Sequence, residues 1–380
     1  MARVVLFIAV SSGALVLGSI ANASRGATST LAELRAVKSY ALMQRYFYAA
    51  ETRSYNGMYP RSGRAQAWPY SQALSATLAI ARLPDSGHRA RAALLARIAR
   101  LAVYQAPLRG RVAYAPVYGG KGNPFYDDNA WIGIELVDAA DLLNRPAYIV
   151  GARTLFAWIE RGWDTKGPHC RGGVYWLMPG GKYWDRSPGS RYRTAVSTVN
   201  AALLASLLYE HTGRRGYLNW AERAYRWSQH CLGTDNGLIA DHIDASGAVT
   251  TAIHSYNQGA MVATAVNLYR ITHQRSYLAG AVRTADASLA VFRDPLRSGD
   301  EPAFLAIFYS DLLQLMPIAR GQAIRHAITD FGDRAWAKAR DPTTGLFHFG
   351  HTTATLLDQA AMVQVYAQVA AAALPSSRRP

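Results

Sequence analysis

Cysteine is nearly absent from this 380-residue chain: there are two, Cys170 and Cys231, and neither lies in a CxxC motif or beside a histidine cluster. Thiol chemistry and a zinc site are therefore not expected. The pair can form one disulfide in an oxidising compartment or remain as two buried thiols, and the spacing does not choose between them. Acidic residues are few, 25 against 41 lysines and arginines, a formal charge of +16 that suits an anionic neighbour. The basic residues are spread along the chain without a recognisable nucleic-acid-binding module, so nucleic acid is not the expected partner. Period-two alternation of apolar residues is scarce, which argues against a β architecture. Glycine, at 31, and proline, at 16, are near ordinary usage, and half of the residues are hydrophobic, so neither a fibrous nor a disordered chain fits.

Long apolar runs are also missing, with one exception. Met1 to Ala23 combines an early arginine, a mostly apolar stretch from Val4 to Ile20 and the small-residue site Ala21-Asn22-Ala23. This reads as a secretory signal peptide cleaved after Ala23. The rival is an uncleaved anchor, since about 17 residues is close to the minimum for spanning a bilayer. The expected product is secreted or associated with the cell envelope, and the remainder, 24–380, reads as one domain.

What fills that remainder is helix. Apolar residues recur at three-to-four spacing between clusters of Gly, Pro, Asn and Asp, which predicts helices at 31–50, 68–82, 86–103, 127–143, 146–161, 195–211, 215–232, 255–272, 276–292, 303–318, 320–340 and 355–373. They pair: Arg145-Pro146-Ala147-Tyr148, Arg215-Gly216-Tyr217-Leu218 and Arg275-Ser276-Tyr277-Leu278 open successive second helices, the tyrosines 69 and 60 residues apart. A helical hairpin repeated six times can close into a ring, and the expected fold is all-α, an (α/α)6 barrel. An open solenoid would need a polar terminal repeat, and none is evident. The 86–103 helix is amphipathic and basic, as an outer helix should be, whereas 195–211 is small and apolar nearly all round, as an inner one should be. The even-numbered helices are then inner, and their N-termini share one rim.

Those N-termini are polar and aromatic: Trp68-Pro69-Tyr70-Ser71-Gln72, Tyr126-Asp127-Asp128-Asn129-Ala130-Trp131, Ser197-Thr198-Val199-Asn200, Ser255-Tyr256-Asn257-Gln258, Glu301-Pro302-Ala303-Phe304 and Leu357-Asp358-Gln359. Capping accounts for any one of them. It accounts less well for second-turn amides beside aromatics, a combination that suits a carbohydrate, with C–H faces to stack and hydroxyls to bond. The connections add Tyr175-Trp176 and Tyr183-Trp184-Asp185. Asp127-Asp128 is the only pair of adjacent carboxylates flanked by aromatics at an inner helix start. Retaining glycoside hydrolysis needs two carboxyl groups about 5–5.5 Å apart. Adjacent residues meet that only if the first is not yet helical; otherwise the pair is a double cap serving the helix dipole.

The run FYDDNAWIGIELVDAADL, followed by GGVYW, STVNAALLASLLYEHTG and SYNQGAMVATAVNLYRITHQRSYL, resembles glycoside hydrolase family 76, the secreted endo-acting α-1,6-mannanases, from about Tyr55 to Phe349. The resemblance implies a metal- and cofactor-free retaining double displacement on α-1,6-mannan, with Asp127 as nucleophile and Asp128 as general acid/base. Tyr126, Trp131, Trp176 and Tyr256 would stack mannose rings, Asn200, Asn257 and Gln258 would hold hydroxyls, and Trp68, Gln72 and Asn129 complete the expected binding set. The implied partner is an α-mannan polysaccharide or a mannan-bearing lipoglycan at an anionic cell-envelope surface, bound by a monomer. The family also contains wall proteins regarded as transglycosylases, which use the same aspartates. Two other readings remain open: a histidine-based sugar epimerase or uronyl hydrolase on His254, His348 and His351, and a non-catalytic mannan-binding protein.

Overall fold

The computed structural model describes residues 12–373 except 61, 85–86, 109, 168 and 181–188, with the backbone alone for 12–28 and 62. Residues 1–11 of the expected signal peptide and the Tyr183-Trp184-Asp185 run lie outside the described residues. Twelve α-helices are described: α1 (Ser12–Phe47), α2 (Ala67–Ala81), α3 (Gly87–Arg100), α4 (Tyr126–Leu143), α5 (Ala147–Ile159), α6 (Ala195–Thr212), α7 (Arg215–Cys231), α8 (Ser255–Thr272), α9 (Arg275–Val291), α10 (Pro302–Leu315), α11 (Gly321–Lys338) and α12 (Leu356–Ala373). The first begins at Ser12 and not at 31, because nothing between Ser12 and Leu31 breaks a helix: the stretch has no proline.

The even helices form the inner wall. α2 packs on α4, α4 on α6, α6 on α8, α8 on α10, α10 on α12, and α12 returns to α2, so the ring closes. Each is backed by an outer helix, and α1 backs α12, joining the two ends of the chain. This is an (α/α)6 barrel, not an open solenoid. Inner helices are buried all round: in α8 every residue from Ser255 to Leu268 is buried. In outer α3 only Gly87, Ala90, Leu94, Arg97 and Ile98 are buried.

Close approach explains two inner glycines. A Cβ at Gly133 would lie 2.5 Å from a Leu204 methyl on α6, and one at Gly259 would lie 2.8 Å from the Phe308 backbone on α10. Each therefore tolerates the helix penalty of about 0.5–1 kcal/mol that glycine brings. The repeated tyrosines pack from one outer helix to the previous one: Tyr217 lies edge-on to Phe156 at 5.3 Å, and Tyr277 to Tyr225 at 5.6 Å. The sequence period is thus a nearest-neighbour contact around the outer ring.

Short strands, unseen by a reading that found no alternation, tie the connections together. β1 (Tyr48–Ala49), β2 (Ser54–Tyr59) and β3 (Ser62–Arg64) form an antiparallel sheet that β6 (Ala354–Thr355) joins through β2, while β4 (Arg193–Thr194) pairs with β5 (His242–Ile243). At two to six residues they are too short to show a period. Cys170 and Cys231 form a disulfide, Cα–Cα 5.9 Å, that clips the 163–194 connection to the end of α7. The same connection is anchored by a buried ion pair, Arg193 to Asp164 at 3.4 Å, with Arg193 also donating to the His169 and Cys170 carbonyls.

Candidate active site

Asp127 and Asp128 stand in the first turn of α4, which starts at Tyr126 behind an extended Phe125. Both are helical, so the expectation that the first would not yet be helical is not met; they stand side by side as chain neighbours in one turn. Helix-start amides favour ionised carboxylates. Burial opposes this and wins. It pushes Asp127 up to about 7, with the Asp241 charge adding to the rise against hydrogen bonds from Trp176 and the helix-start backbone. It also holds Asp128 well above the usual range, with the Asp127 charge as the second cause. Neither residue is sealed from solvent. Burial thus favours a proton on the pair, which suits a nucleophile working beside an acid.

The indole Nε1 of Trp176 donates to Asp127 Oδ2 at 3.0 Å, and Asp127 Oδ1 is buried without a protein partner. Asp241, which sequence reasoning missed, lies beside the pair. One of its oxygens accepts from Asn257 Nδ2 at 3.0 Å and from the Tyr256 hydroxyl at 3.5 Å, and the other contacts His242 Nδ1 at 2.9 Å. No aromatic flanks Asp241 in the chain, and it comes from the α7–α8 connection. Only the β4–β5 pairing, with the Ala195 N–H donating to the Asp241 carbonyl, delivers it to the rim.

Aromatic side chains line this end of the ring. Trp131 packs against Trp68, centroids 4.1 Å apart, and against Tyr256 at 6.0 Å, while Tyr256 meets Phe304 at 4.2 Å. With Val196, Trp176, Ile134 and Ile307 they form a second apolar cluster, joined to the main core through Trp68 and Ile134. Besides Asp127 Oδ1, two buried polar atoms here, Trp131 Nε1 and Asn257 Oδ1, have no protein partner. His254 stacks on Tyr256 at 5.5 Å and is held by Asp300 at 3.0 Å.

The structure thus brings Asp127, Asp128, Trp68, Trp131, Trp176, Tyr256 and Asn257 to one place. It does not bring the others. The Tyr126 ring is buried toward the outer wall, stacked on Trp158 at 4.3 Å, so it offers no face to a ligand. Asn129 is spent on the backbone of Tyr114, accepting its N–H at 2.7 Å and donating to its carbonyl at 3.0 Å. Gln258 grips both backbone groups of Ile239 in the same way, at 3.0 and 2.9 Å. Asn129 and Gln258 are each the fourth residue of an inner helix, and the fourth residues of α6 and α12 behave alike: Thr198 accepts from the Val174 N–H and Gln359 from the Phe347 N–H. These four polar side chains are clamps on the connections that precede α4, α6, α8 and α12, whereas Gln258 was expected to hold a sugar hydroxyl and Asn129 to belong to the binding set. Gln72 and Asn200, each the sixth residue of its helix, are buried two positions further in, Gln72 accepting from Gln364 across the α2–α12 contact and Asn200 donating to its own helix at Val196.

Among the described residues no three His, Cys, Asp or Glu side chains are grouped to hold a metal ion. A separate concavity of about 580 Å³ on the outer wall, lined by Thr234, Asn236, Arg283 and Asp286 among others, contains no aromatic side chain.

A model of glycosyl hydrolase family 76 matches residues 30–371. Among curated proteins, the chain is 27% identical over 222 residues to a mannan endo-1,6-alpha-mannosidase of Saccharomyces cerevisiae, covering 52% of this chain and 48% of that protein. It is 27% identical over 168 residues to one of Candida glabrata, covering 40% and 36%. The matches span half or less of these curated relatives. Among solved structures, a family 76 mannosidase of Bacteroides thetaiotaomicron superimposes with a TM-score of 0.79 at 22% identity, over 89% of this chain and 98% of that one. An inactive α-1,6-mannanase variant of Salegentibacter sp., with two consecutive aspartates replaced and α-1,6-mannotriose bound, gives a TM-score of 0.73 at 18% identity, over 90% and 99%.

Proposed function

Since the chain belongs to glycosyl hydrolase family 76, we propose that it is an exported, retaining α-1,6-mannanase in which Asp127 is the nucleophile and Asp128 the general acid/base. The observation that carries this reading is the pair of adjacent acids in the first turn of α4: Asp127 is held through Oδ2 by Trp176 and leaves a buried, unpartnered Oδ1, and burial raises both carboxyls above the usual aspartate range. In the first step Asp127 Oδ1 forms a bond to the anomeric carbon. The electron pair of the breaking glycosidic bond passes to the leaving oxygen, which takes the proton of Asp128. In the second step Asp128, now a carboxylate, removes a proton from water as that water attacks the same carbon and Asp127 leaves. Two inversions return the original anomer.

Trp68, Trp131 and Tyr256 supply apolar faces for the sugar, and Asn257 Oδ1 and Trp131 Nε1 supply an acceptor and a donor for hydroxyls. The mannan-cleaving relatives support the substrate class, an α-mannan polysaccharide or mannan-bearing lipoglycan. The leader-like Met1–Ala23 and the +16 charge support export to an anionic envelope surface. The test is incubation of the wild type and of Asp127→Asn with linear α-1,6-mannan, following products and their anomeric form, together with the N-terminal mass of the exported protein. Short oligosaccharides appearing first as the α-anomer and absent with Asp127→Asn are expected, with a mature chain beginning at Ser24. β-Anomer product would exclude retention, and full activity in Asp127→Asn would remove Asp127 from the chemistry.

A further inference from the structure

Trp176 is gripped on all sides. Its backbone N–H donates to the Tyr192 carbonyl at 2.9 Å, and its carbonyl accepts the Tyr126 N–H at 3.0 Å, the first residue of the helix that carries both aspartates. Its ring lies 4.9 Å from that of Phe125. On another side stands Gly189, where a Cβ would approach the indole to 2.7 Å, so the backbone itself forms a wall. The connection behind it is closed by the Cys170–Cys231 disulfide and the buried Arg193–Asp164 pair. An indole fixed to this degree cannot swing out to follow a sugar without giving up its bond to Asp127.

We propose that Trp176 is a positioning residue: by holding Oδ2 of Asp127 through Nε1 it fixes the plane of the carboxylate and leaves Oδ1 as the attacking atom. An aspartate's terminal torsion is broad and two-fold, so without a partner either oxygen can face the substrate at any angle. One directional donor removes that freedom before the substrate arrives. The same bond acts again in the second step, when the Oδ1–carbon bond breaks and Asp127 regains its charge: Nε1 then stabilises the departing carboxylate. Loss of the donor should therefore slow release more than it weakens binding. This inference rests on the reading of Asp127 as nucleophile.

The experiment replaces Trp176 by phenylalanine and, in parallel, by 3-benzothienylalanine, which keeps the bicyclic shape and lacks the N–H. With linear α-1,6-mannan, kcat should fall about 10- to 100-fold, the range for a hydrogen bond to a charged group, and KM should fall with it, because slowed release leaves the glycosyl-enzyme as the accumulating species. The acid limb of the pH profile should move to higher pH, because the lost donor favoured the ionised form. Intact mass of the quenched reaction should show a glycosyl-enzyme accumulating in the variants. A raised KM with kcat unchanged would make Trp176 a stacking platform and overturn the proposal, as would an unmoved acid limb in the benzothienyl variant. Asp127→Asn, run alongside, separates the two readings: if it hydrolyses mannan, the assignment of the nucleophile fails, whereas if it is inactive and the Trp176 variants behave as wild type, only the positioning role fails.

Discussion

Replacing both paired carboxyls of α4, Asp127→Asn with Asp128→Asn, should stabilise the fold, and more so as the pH rises. An aspartate whose folded pKa lies above its unfolded value of 3.8 binds its proton more tightly when folded. Its contribution to stability is therefore best below pH 3.8 and worsens as the pH rises to the folded value. For Asp127 that value is about 7. A shift of about 3 units corresponds to about 4 kcal/mol at most. Asp127 keeps some solvent exposure, and asparagine leaves an amide without a partner, so about 2–3 kcal/mol at pH 8 is the expected gain. At about 2.1 cal/mol/K per residue over roughly 350 ordered residues, this raises Tm by about 3–4 °C. The assay is thermal unfolding of wild type and double variant at pH 4, 6 and 8. A gap near zero at pH 4 that widens to pH 8 is expected. A gap independent of pH, or a double variant less stable at pH 8, would refute the claim that burial makes the folded protein bind the pair's protons more tightly.

Two further outcomes follow from the same geometry. Asp241→Asn keeps an acceptor for Asn257 and removes a charge that helps push Asp127 up, so the acid limb of kcat/KM on mannan should move to lower pH; an upward or absent movement would contradict their proximity. Arg193→Ala strips the partner from Asp164, whose side chain is only 3% exposed, and empties the anchor of the 163–194 connection. The cost should be about 3–5 kcal/mol in urea unfolding, and a loss below about 1 kcal/mol would show the pair to be dispensable.

The architecture was legible because it is written in local periods. Three-to-four spacing marks each helix, the all-round apolar character of 195–211 marks an inner wall, and Tyr148, Tyr217 and Tyr277 mark the step from one hairpin to the next. The candidate catalytic pair was legible too, since adjacent acids beside aromatics at a helix start are conspicuous in one dimension. Neighbours along the chain are neighbours in space, and such a site needs no fold to assemble it.

What the sequence could not decide is direction and long-range company. Tyr126 and Asn129 have the composition of binding residues, yet about 100° per residue around α4 turns Tyr126 to the outer wall and Asn129 to the Tyr114 backbone, while Trp131 faces the rim. Gln258 and Gln359 look like ligand-binding amides until the connection each one clamps is in place. Asp241 lies 114 residues beyond Asp127, in a segment with nothing to recommend it. Trp176 lies 49 residues away from Asp127, on a connection held by a disulfide the spacing left open. Helical period and polarity, being local, belong to the sequence alone; the raised proton affinity of Asp127, which depends on burial and on the Asp241 charge brought from another connection, exists only once the ring has closed.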